Sequence, residues 1–250
     1  MLYKGRSIVD ATRAANAINA GLRIVSAGLG LVSAEDQVPN YDLTVASGSP
    51  LGDLLAEQGL GPEAWWSAIT ADQPFPLSAL VANSMAYIAL PASYLRMVRE
   101  DLALIPTSAC ERLRIFTSYA GRSEVPASIA SSVMPYDERL ETVPGFDGTR
   151  VDFAQRAMRH FVAQLRGHEL SAEIGSRAVA EFMNAQRRRT LPNRTRASDD
   201  EIRRLIRGRW HDCAGSSTRL LRYLRDDAKV SCEQRRFRVL WKNVLREMAA

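Results

Sequence analysis

The sequence predicts an α/β core with a short parallel-type sheet, followed by a C-terminal all-helical basic region of helix-turn-helix type. Three observations lead to this prediction. Short β-type runs alternate with helical stretches in the first half of the chain, which is typical of βα units around a parallel sheet. The second half shows only helical periodicity. Charge divides in the same way. Residues 1–150 carry 11 Lys/Arg and 16 Asp/Glu, whereas residues 151–250 carry 22 Lys/Arg and 12 Asp/Glu.

The first predicted element is a helix over residues 6–20, because apolar side chains recur there at helical spacing and Gly21 ends the pattern. Three short runs of β-forming residues follow, at residues 22–27, 85–90 and 113–119. Helical stretches separate these runs, so we expect parallel strands. Ligands bind at the carboxyl ends of strands in such sheets, which directs attention to the segment after each run.

Residues 31–49 are rich in turn formers. Short helices are predicted after them at residues 50–58, 62–70, 76–83 and 92–104. The loop at residues 144–148 (Pro-Gly-Phe-Asp-Gly) coincides with the change in charge. We therefore predict two domains, in which residues 1–148 form the α/β domain and residues 149–250 form the helical, basic, nucleic-acid-binding region.

Helical periodicity continues through this second region. Apolar residues recur at helical spacing between residues 153 and 165 and again between 170 and 189. Ser198 and Glu201 fit a capping box, in which the serine oxygen accepts a hydrogen bond from the third amide of the helix. Two more helices are predicted to begin near residues 216 and 231. The helical periodicity of the last 50 or so residues thus predicts a compact three-helix unit.

Composition excludes several classes of protein. No apolar run approaches the roughly 18 residues of a membrane span, so we expect no membrane partner. Three cysteines cannot form a disulfide framework, and with three histidines they are too few for a typical zinc site. We therefore predict no metal site and no cofactor. The N-terminus lacks the apolar stretch of a signal peptide, so we expect a cytoplasmic protein with reduced thiols.

Arginine accounts for 30 of the 33 basic residues. A GC-rich genome explains that preference but not the concentration of charge after residue 150. Guanidinium groups bind phosphate through paired hydrogen bonds, so a net charge of +10 over residues 151–250 favours binding to nucleic acid, either DNA or RNA. The alternative is an ordinary solvated surface. The predicted nucleic-acid-binding residues are Arg187, Arg188, Arg189, Arg194, Arg196, Arg219, Arg222, Arg235 and Arg236.

The first strand runs into a glycine-containing segment, with Gly28 and Gly30 on either side of a leucine. Two interpretations are open: the glycines form a phosphate-binding loop, or they permit a tight turn. Ser33 stands where the third glycine of G-x-G-x-x-G belongs, and the chain contains no Gly-Lys-Ser/Thr motif. The sequence therefore supports a nucleotide loop only weakly.

Three carboxylates, Asp137, Glu138 and Glu141, lie within five residues of one another beside Arg139. Such a cluster can supply a general acid or base whose pKa is tuned by its neighbours. The alternative is an acidic loop that is simply solvated.

Two segments resemble the YaaA-like family, which is named after a bacterial peroxide-stress protein. The first is Leu-Arg-Ile-Val-Ser-Ala-Gly-Leu-Gly-Leu-Val at residues 22–32, with Pro-Asn-Tyr-Asp-Leu-Thr at 39–44. The second is Ile-Phe-Thr-Ser-Tyr-Ala-Gly-Arg at 115–122. The resemblance covers roughly residues 5–140 and implies an α/β domain associated with DNA. The candidate residues it supplies are Ser26, Gly30, Tyr41, Asp42, Ser118 and Arg122.

The chain departs from that family in two ways. The family usually has a strand before the first helix, and its pattern does not include a basic three-helix unit. With such a unit added, the chain is similar to the DpdC proteins of bacterial clusters that install 7-deazaguanine bases in DNA. That similarity implies hydration of the nitrile of 7-cyano-7-deazaguanine to an amide, with DNA and other proteins of the cluster as partners.

Each candidate residue has an expected role in this hydration. Asp42, or Asp137 with Glu138, would activate water. Ser118, Arg122 and backbone donors near Gly28 and Gly30 would stabilise negative charge on the nitrogen. Tyr41 or Tyr136 would stack on the base beside Ser26. The alternatives are a non-catalytic YaaA-like DNA-binding protein and a subunit whose basic face meets an acidic protein.

Overall fold

The structure, a computed structural model, describes residues 5–46, 48–73, 77–82, 84–188 and 194–249. The chain forms two compact units, a first unit of Met1–Arg189 and a second unit of Thr190–Ala250. Among the described residues, no helix is long and apolar enough to cross a membrane.

The first unit mixes helices with short strands, as the α/β prediction requires. Its helices are α1 (Arg6–Ala17), α2 (Pro50–Glu57), α3 (Pro62–Thr70), α4 (Leu77–Ala82), α5 (Ala92–Met97), α6 (Arg99–Ala103), α7 (Tyr119–Arg122), α8 (Phe153–Ala163) and α9 (Ala172–Ala185). Its strands are β1 (Arg23–Ser26), β2 (Gly30–Ser33), β3 (Ala86–Ala89) and β4 (Leu113–Phe116). Prolines open α2 and α3, where their fixed φ suits the first helical position.

Strand pairing confirms one part of the predicted sheet and corrects another. β3 and β4 pair in parallel, from Ala86 opposite Leu113 to Ala89 opposite Phe116. β1 instead pairs antiparallel with β2, most of which lies in the segment predicted to consist of turns, residues 31–49. The expectation that β1 pairs in a parallel sheet is therefore wrong, because a three-residue connection returns the chain directly along β1 as a hairpin.

Two apolar cores stabilise the first unit. One includes Trp66, Leu95, Leu102 and Ile115, which come from α3, α5, α6 and β4. The other joins α1, α8 and α9, and its fully buried members include Phe161. The helices α8 and α9, which carry the start of the basic half, are thus part of the first unit.

The loop at residues 144–148 is held inside the first unit and does not link two domains. Arg156 is fully buried and donates to the carbonyl oxygens of Phe146 and of Thr149, the latter at 2.7 Å. Arg6 and Arg159 donate to further carbonyls of the same loop. The compact units divide between residues 189 and 190, so the structure places the boundary later than the change in charge does.

The described residues of the second unit form three helices, α10 (Asp199–Gly208), α11 (Ser217–Asp226) and α12 (Gln234–Ala249). Their buried apolar residues include Ile206, Leu220, Leu224 and Leu240. Two-residue strands β5 (Thr195–Arg196) and β6 (Val230–Ser231) pair in parallel, so the region is mainly but not entirely helical.

One predicted helix start in the second unit agrees with the structure. Ser198 is the N-cap of α10, and its hydroxyl oxygen accepts a hydrogen bond from the amide of Glu201 at 3.2 Å. This is the serine half of the predicted capping box.

Candidate functional site

The turn after β1 folds around the side chain of Ser26. Ser26 is buried, and its hydroxyl oxygen accepts hydrogen bonds from the amides of Gly28 at 3.3 Å and Leu29 at 3.0 Å. It also shares a hydrogen bond with the hydroxyl of Tyr41. A Cβ on Gly28 would lie 3.0 Å from the Tyr41 ring. Glycine at this position therefore lets the ring pack against the turn.

Gln73, which the sequence analysis did not single out, closes the same turn. Its side-chain nitrogen donates to the carbonyl oxygen of Leu29 at 2.8 Å, and its side-chain oxygen accepts from the amide of Leu31 at 2.9 Å. Because the preceding amides bond to Ser26, the donors that a phosphate loop would offer are already used. The geometry favours the tight-turn interpretation of the glycines.

Gly30→Ala is expected to destabilise the first unit by about 2 kcal/mol. Gly30 has φ of +72°, and a Cβ there would lie 2.3 Å from the bonded Gln73 nitrogen. Thermal unfolding measures the loss. Gly21→Ala is the matched control, since no described atom lies within 4 Å of its added Cβ; equal melting temperatures for the two variants would contradict the role assigned to Gly30.

The predicted residues after β4 form a second cluster with its own internal bonds. Arg122 donates to the carbonyl oxygen of Tyr136 at 2.8 Å. Asp137 caps a short 3₁₀ helix and pairs with Arg139 at 2.6 Å. Burial raises the pKa of Asp137, but its bonds to Arg139 outweigh burial and leave the pKa below its ordinary value. This carboxylate is therefore held ionised by its neighbour.

The other three members of this cluster differ in exposure. Ser118 is half-buried before α7, and its side chain makes no capping bond; Glu138 is exposed. Tyr136 is fully buried, and its hydroxyl bonds to Nδ1 of His160 at 2.8 Å. Burial raises the pKa of Tyr136 well above its ordinary value. Contrary to the expectation from the sequence, the Tyr136 ring is not accessible for stacking on a base.

A cleft of about 900 Å³ lies in the first unit, a volume within the range of ligand sites. Ser26, Tyr41 and Asp42 line it, together with many apolar side chains. The remaining predicted residues of the first unit are not among its lining residues: Gly28, Gly30, Ser118, Arg122, Tyr136, Asp137 and Glu138. Because the proposed water-activating and charge-stabilising groups do not converge on one cavity, nitrile hydration stays a prediction.

The described part of the chain contains no cluster of three or more His, Cys, Asp or Glu side chains arranged to hold a metal ion.

In the second unit, α11 and α12 carry exposed cations for which no described residue offers a partner; we call the parts of the two helices that bear them the cationic face. It consists of Arg219 and Arg222 on α11 and Arg235, Arg238, Lys242 and Arg246 on α12. All six are exposed, and no described residue offers any of them an ion pair or a hydrogen bond. The four on α12 recur every three or four residues and so share one side of a helix about 24 Å long.

The two helices of the cationic face border a cleft of about 680 Å³. Arg222 lines it from α11, and Arg238 and Lys242 line it from α12, with Trp241 between them. The N-terminus of α11 also opens here, and its N-cap Ser216 makes no side-chain capping bond. Unbonded helix amides and guanidinium groups are both donors that suit phosphate oxygens.

Two of the predicted nucleic-acid-binding arginines are instead held within the unit. Arg194 donates to the carbonyl oxygen of Arg225 at 2.8 Å and pairs with Asp226 at 3.0 Å. Arg236 pairs with Asp199 at 2.5 Å and donates to the carbonyl oxygen of Ala197 at 2.9 Å. These side chains hold α11 and α12 to neighbouring segments and offer few free donors to a ligand.

The other predicted arginines lie outside this face. Arg187 and Arg188 are exposed after α9 in the first unit, and Arg196 is exposed in β5. Arg189 lies outside the described residues. Arg238, Lys242 and Arg246 belong to the face but were not among the predicted binding residues; their spacing along one helix is the signal that could have identified them.

Comparison of the chain with family models, with curated protein sequences and with solved structures finds no match. The resemblance to the YaaA-like family therefore stays a prediction based on the quoted segments.

Proposed function

We propose that the second unit binds nucleic acid through the cationic face. The observation that carries this proposal is the distribution of its cations. Six exposed cations for which no described residue offers a partner lie on α11 and α12, whereas Arg203, Arg207 and Arg209 are held in ion pairs. Outside these two helices, the exposed cations for which no described residue offers a side-chain partner are Arg196, Arg204 and Lys229. The unit contains 15 Lys/Arg and 8 Asp/Glu, a net charge of +7.

The arrangement suits a phosphate backbone better than a single anion. The α12 cations extend over about 16 Å, and successive phosphates of one DNA strand are about 3.4 Å apart along the axis. A row of charges of this length contacts several phosphates at once. The condensed counterions released by each contact then supply the free energy of binding.

Binding to a duplex DNA of about 20 base pairs, followed by fluorescence anisotropy at several salt concentrations, tests this function. Six phosphate contacts predict a slope of about −5 in log K against log salt. Replacing Arg222, Arg238 and Lys242 together by alanine is expected to weaken binding at least roughly tenfold and to reduce the slope by about 3.

The matched control replaces Arg203, Arg207 and Arg209 by alanine. It removes the same charge, but these side chains pair with Asp200, Glu247 and Asp212. We expect it to change affinity much less. Equal losses in the two triple variants would show that net charge, and not the cationic face, determines binding. A wild-type slope near zero would contradict nucleic-acid binding and favour an acidic protein as the partner.

A further inference from the structure

The cleft of the first unit lies between the edges of two strands. Every residue from Leu22 to Ala27 lines it, and so does every residue from Met85 to Pro91. Successive side chains of a strand point to opposite faces of its sheet. A cavity over one face would therefore be lined mainly by alternate residues, and we infer from the unbroken runs that the edges of β1 and β3 face the cleft.

On the β1 edge that faces the cleft, no described residue pairs with the outward backbone groups. The carbonyl oxygen of Leu22 accepts from the amide of Ala34 at 3.0 Å, on the β2 side. Because antiparallel residues alternate between bonded and non-bonded pairs, the N–H and C=O of Arg23 and Val25 point away from β2. No described residue hydrogen-bonds to the amide of Val25.

In the parallel pair of β3 and β4, successive residues of β3 likewise direct their backbone groups to opposite sides of the strand. The amide of Leu90 donates to the carbonyl oxygen of Phe116 at 3.3 Å, on the β4 side, so the backbone groups of Tyr87 and Ala89 point the other way. The side chain of Gln155 donates to the carbonyl oxygen of Ala89 at 2.8 Å, which agrees with that direction. No described residue hydrogen-bonds to the amide of Tyr87.

The walls of the cleft belong to the two apolar cores of the unit. Ala11, Ala14 and Met158 come from the core of α1 and α8, and Leu77 and Val81 come from the other core. A segment placed between β1 and β3 would therefore meet apolar side chains of both cores. Strands that are covered on both faces are typically continuous apolar runs.

We propose that this cleft binds an extended peptide segment of a partner polypeptide, with about four to six consecutive apolar residues, as an added strand between β1 and β3. Its backbone would pair with Arg23 and Val25 on one side and with Tyr87 and the amide of Ala89 on the other, since the carbonyl oxygen of Ala89 already accepts from Gln155. The two separate pairs of strands would become one sheet of five. A small apolar molecule could fill the volume, but it would leave backbone groups such as the amides of Val25 and Tyr87 without a partner, which is costly away from water.

A soluble peptide, Lys-Lys-Val-Ile-Val-Ile-Val-Lys-Lys with blocked ends, is the probe. Amide exchange of the ¹⁵N-labelled full chain, followed by NMR, is expected to show saturable protection of Val25 and Tyr87 by at least roughly tenfold. The same peptide with N-methyl groups at alternate valine and isoleucine positions keeps its apolar character but loses its donors, so we expect no binding.

Two variants of α1 test whether the peptide binds in the cleft. Ala14→Leu extends a buried side chain of the cleft wall and is expected to weaken peptide binding at least tenfold, while Ala17→Leu, an exposed position of the same helix, leaves binding unchanged. Absence of binding, equal binding of the N-methylated peptide, or binding without protection of Val25 and Tyr87 would each overturn the proposal. Protection that depends on protein concentration without peptide would overturn it in favour of a second copy of this chain.

Discussion

Replacing Arg156 by methionine is expected to lower the free energy of unfolding of the first unit by about 3 to 5 kcal/mol. The guanidinium group is fully buried and pairs with Asp152 at 2.6 Å, with Glu141 at 3.8 Å and with two loop carbonyls. Methionine fills similar space but leaves the buried Asp152 carboxylate without its main partner. The loop at residues 144–148 loses its attachment at the same time.

Peptide-resolved hydrogen exchange in increasing urea measures this loss for the first unit separately from the second. Arg177→Met is the control, because it makes the same chemical change at an exposed position of α9 and should alter stability by no more than about 0.5 kcal/mol. Arg156→Met combined with Asp152→Asn should recover part of the loss, since no unpaired charge remains buried. Equal stability of the two single variants would show that the buried network does not hold the loop.

The same network explains why the domain boundary could not be predicted from the sequence. A Pro-Gly segment at a change in charge is typical of a linker, and nothing nearby in the sequence reveals its partners. Arg6 lies 141 positions from Asp147, whose carbonyl it contacts. Local pattern predicted the strands β1, β3 and β4, but β2 was missed because its Gly-Leu-Val-Ser is followed by turn formers and is stabilised by pairing with β1.

The candidate sites show a similar division between what local pattern reveals and what depends on the fold. Residue type correctly marked the second unit as rich in arginine, but Arg222 and Arg236 look alike in the sequence. Only the fold gives Arg236 a carboxylate partner in Asp199, whereas no described carboxylate pairs with Arg222. Likewise, the tyrosine at position 136 looked suitable for stacking, and only its burial beside His160 excludes that use.

Lowering the pH from about 6.5 to about 4 is expected to cost the first unit about 3 kcal/mol of stability through His160 alone. The ring is fully buried beside Phe146 and Phe182. Burial, reinforced by the nearby charge of Arg159, lowers the pKa of His160 to about 4. Between these pH values the unfolded chain binds a proton that the folded chain does not, so stability is complete above pH 6.5 and falls as the pH decreases.

His160→Gln separates this contribution from the titration of carboxylates. In the wild type, the hydroxyl of Tyr136 lies 2.8 Å from Nδ1 of His160. The amide oxygen of a glutamine can still accept a hydrogen bond from this hydroxyl, but glutamine does not titrate. Whatever its stability at pH 7.5, the variant should lose about 3 kcal/mol less than the wild type between pH 7.5 and 4, measured by the same exchange method. His211→Gln, at an exposed position of the second unit, should leave the pH dependence of the first unit unchanged. Parallel stability profiles for wild type and His160→Gln would mean that the buried ring is not the group that makes the first unit sensitive to acid.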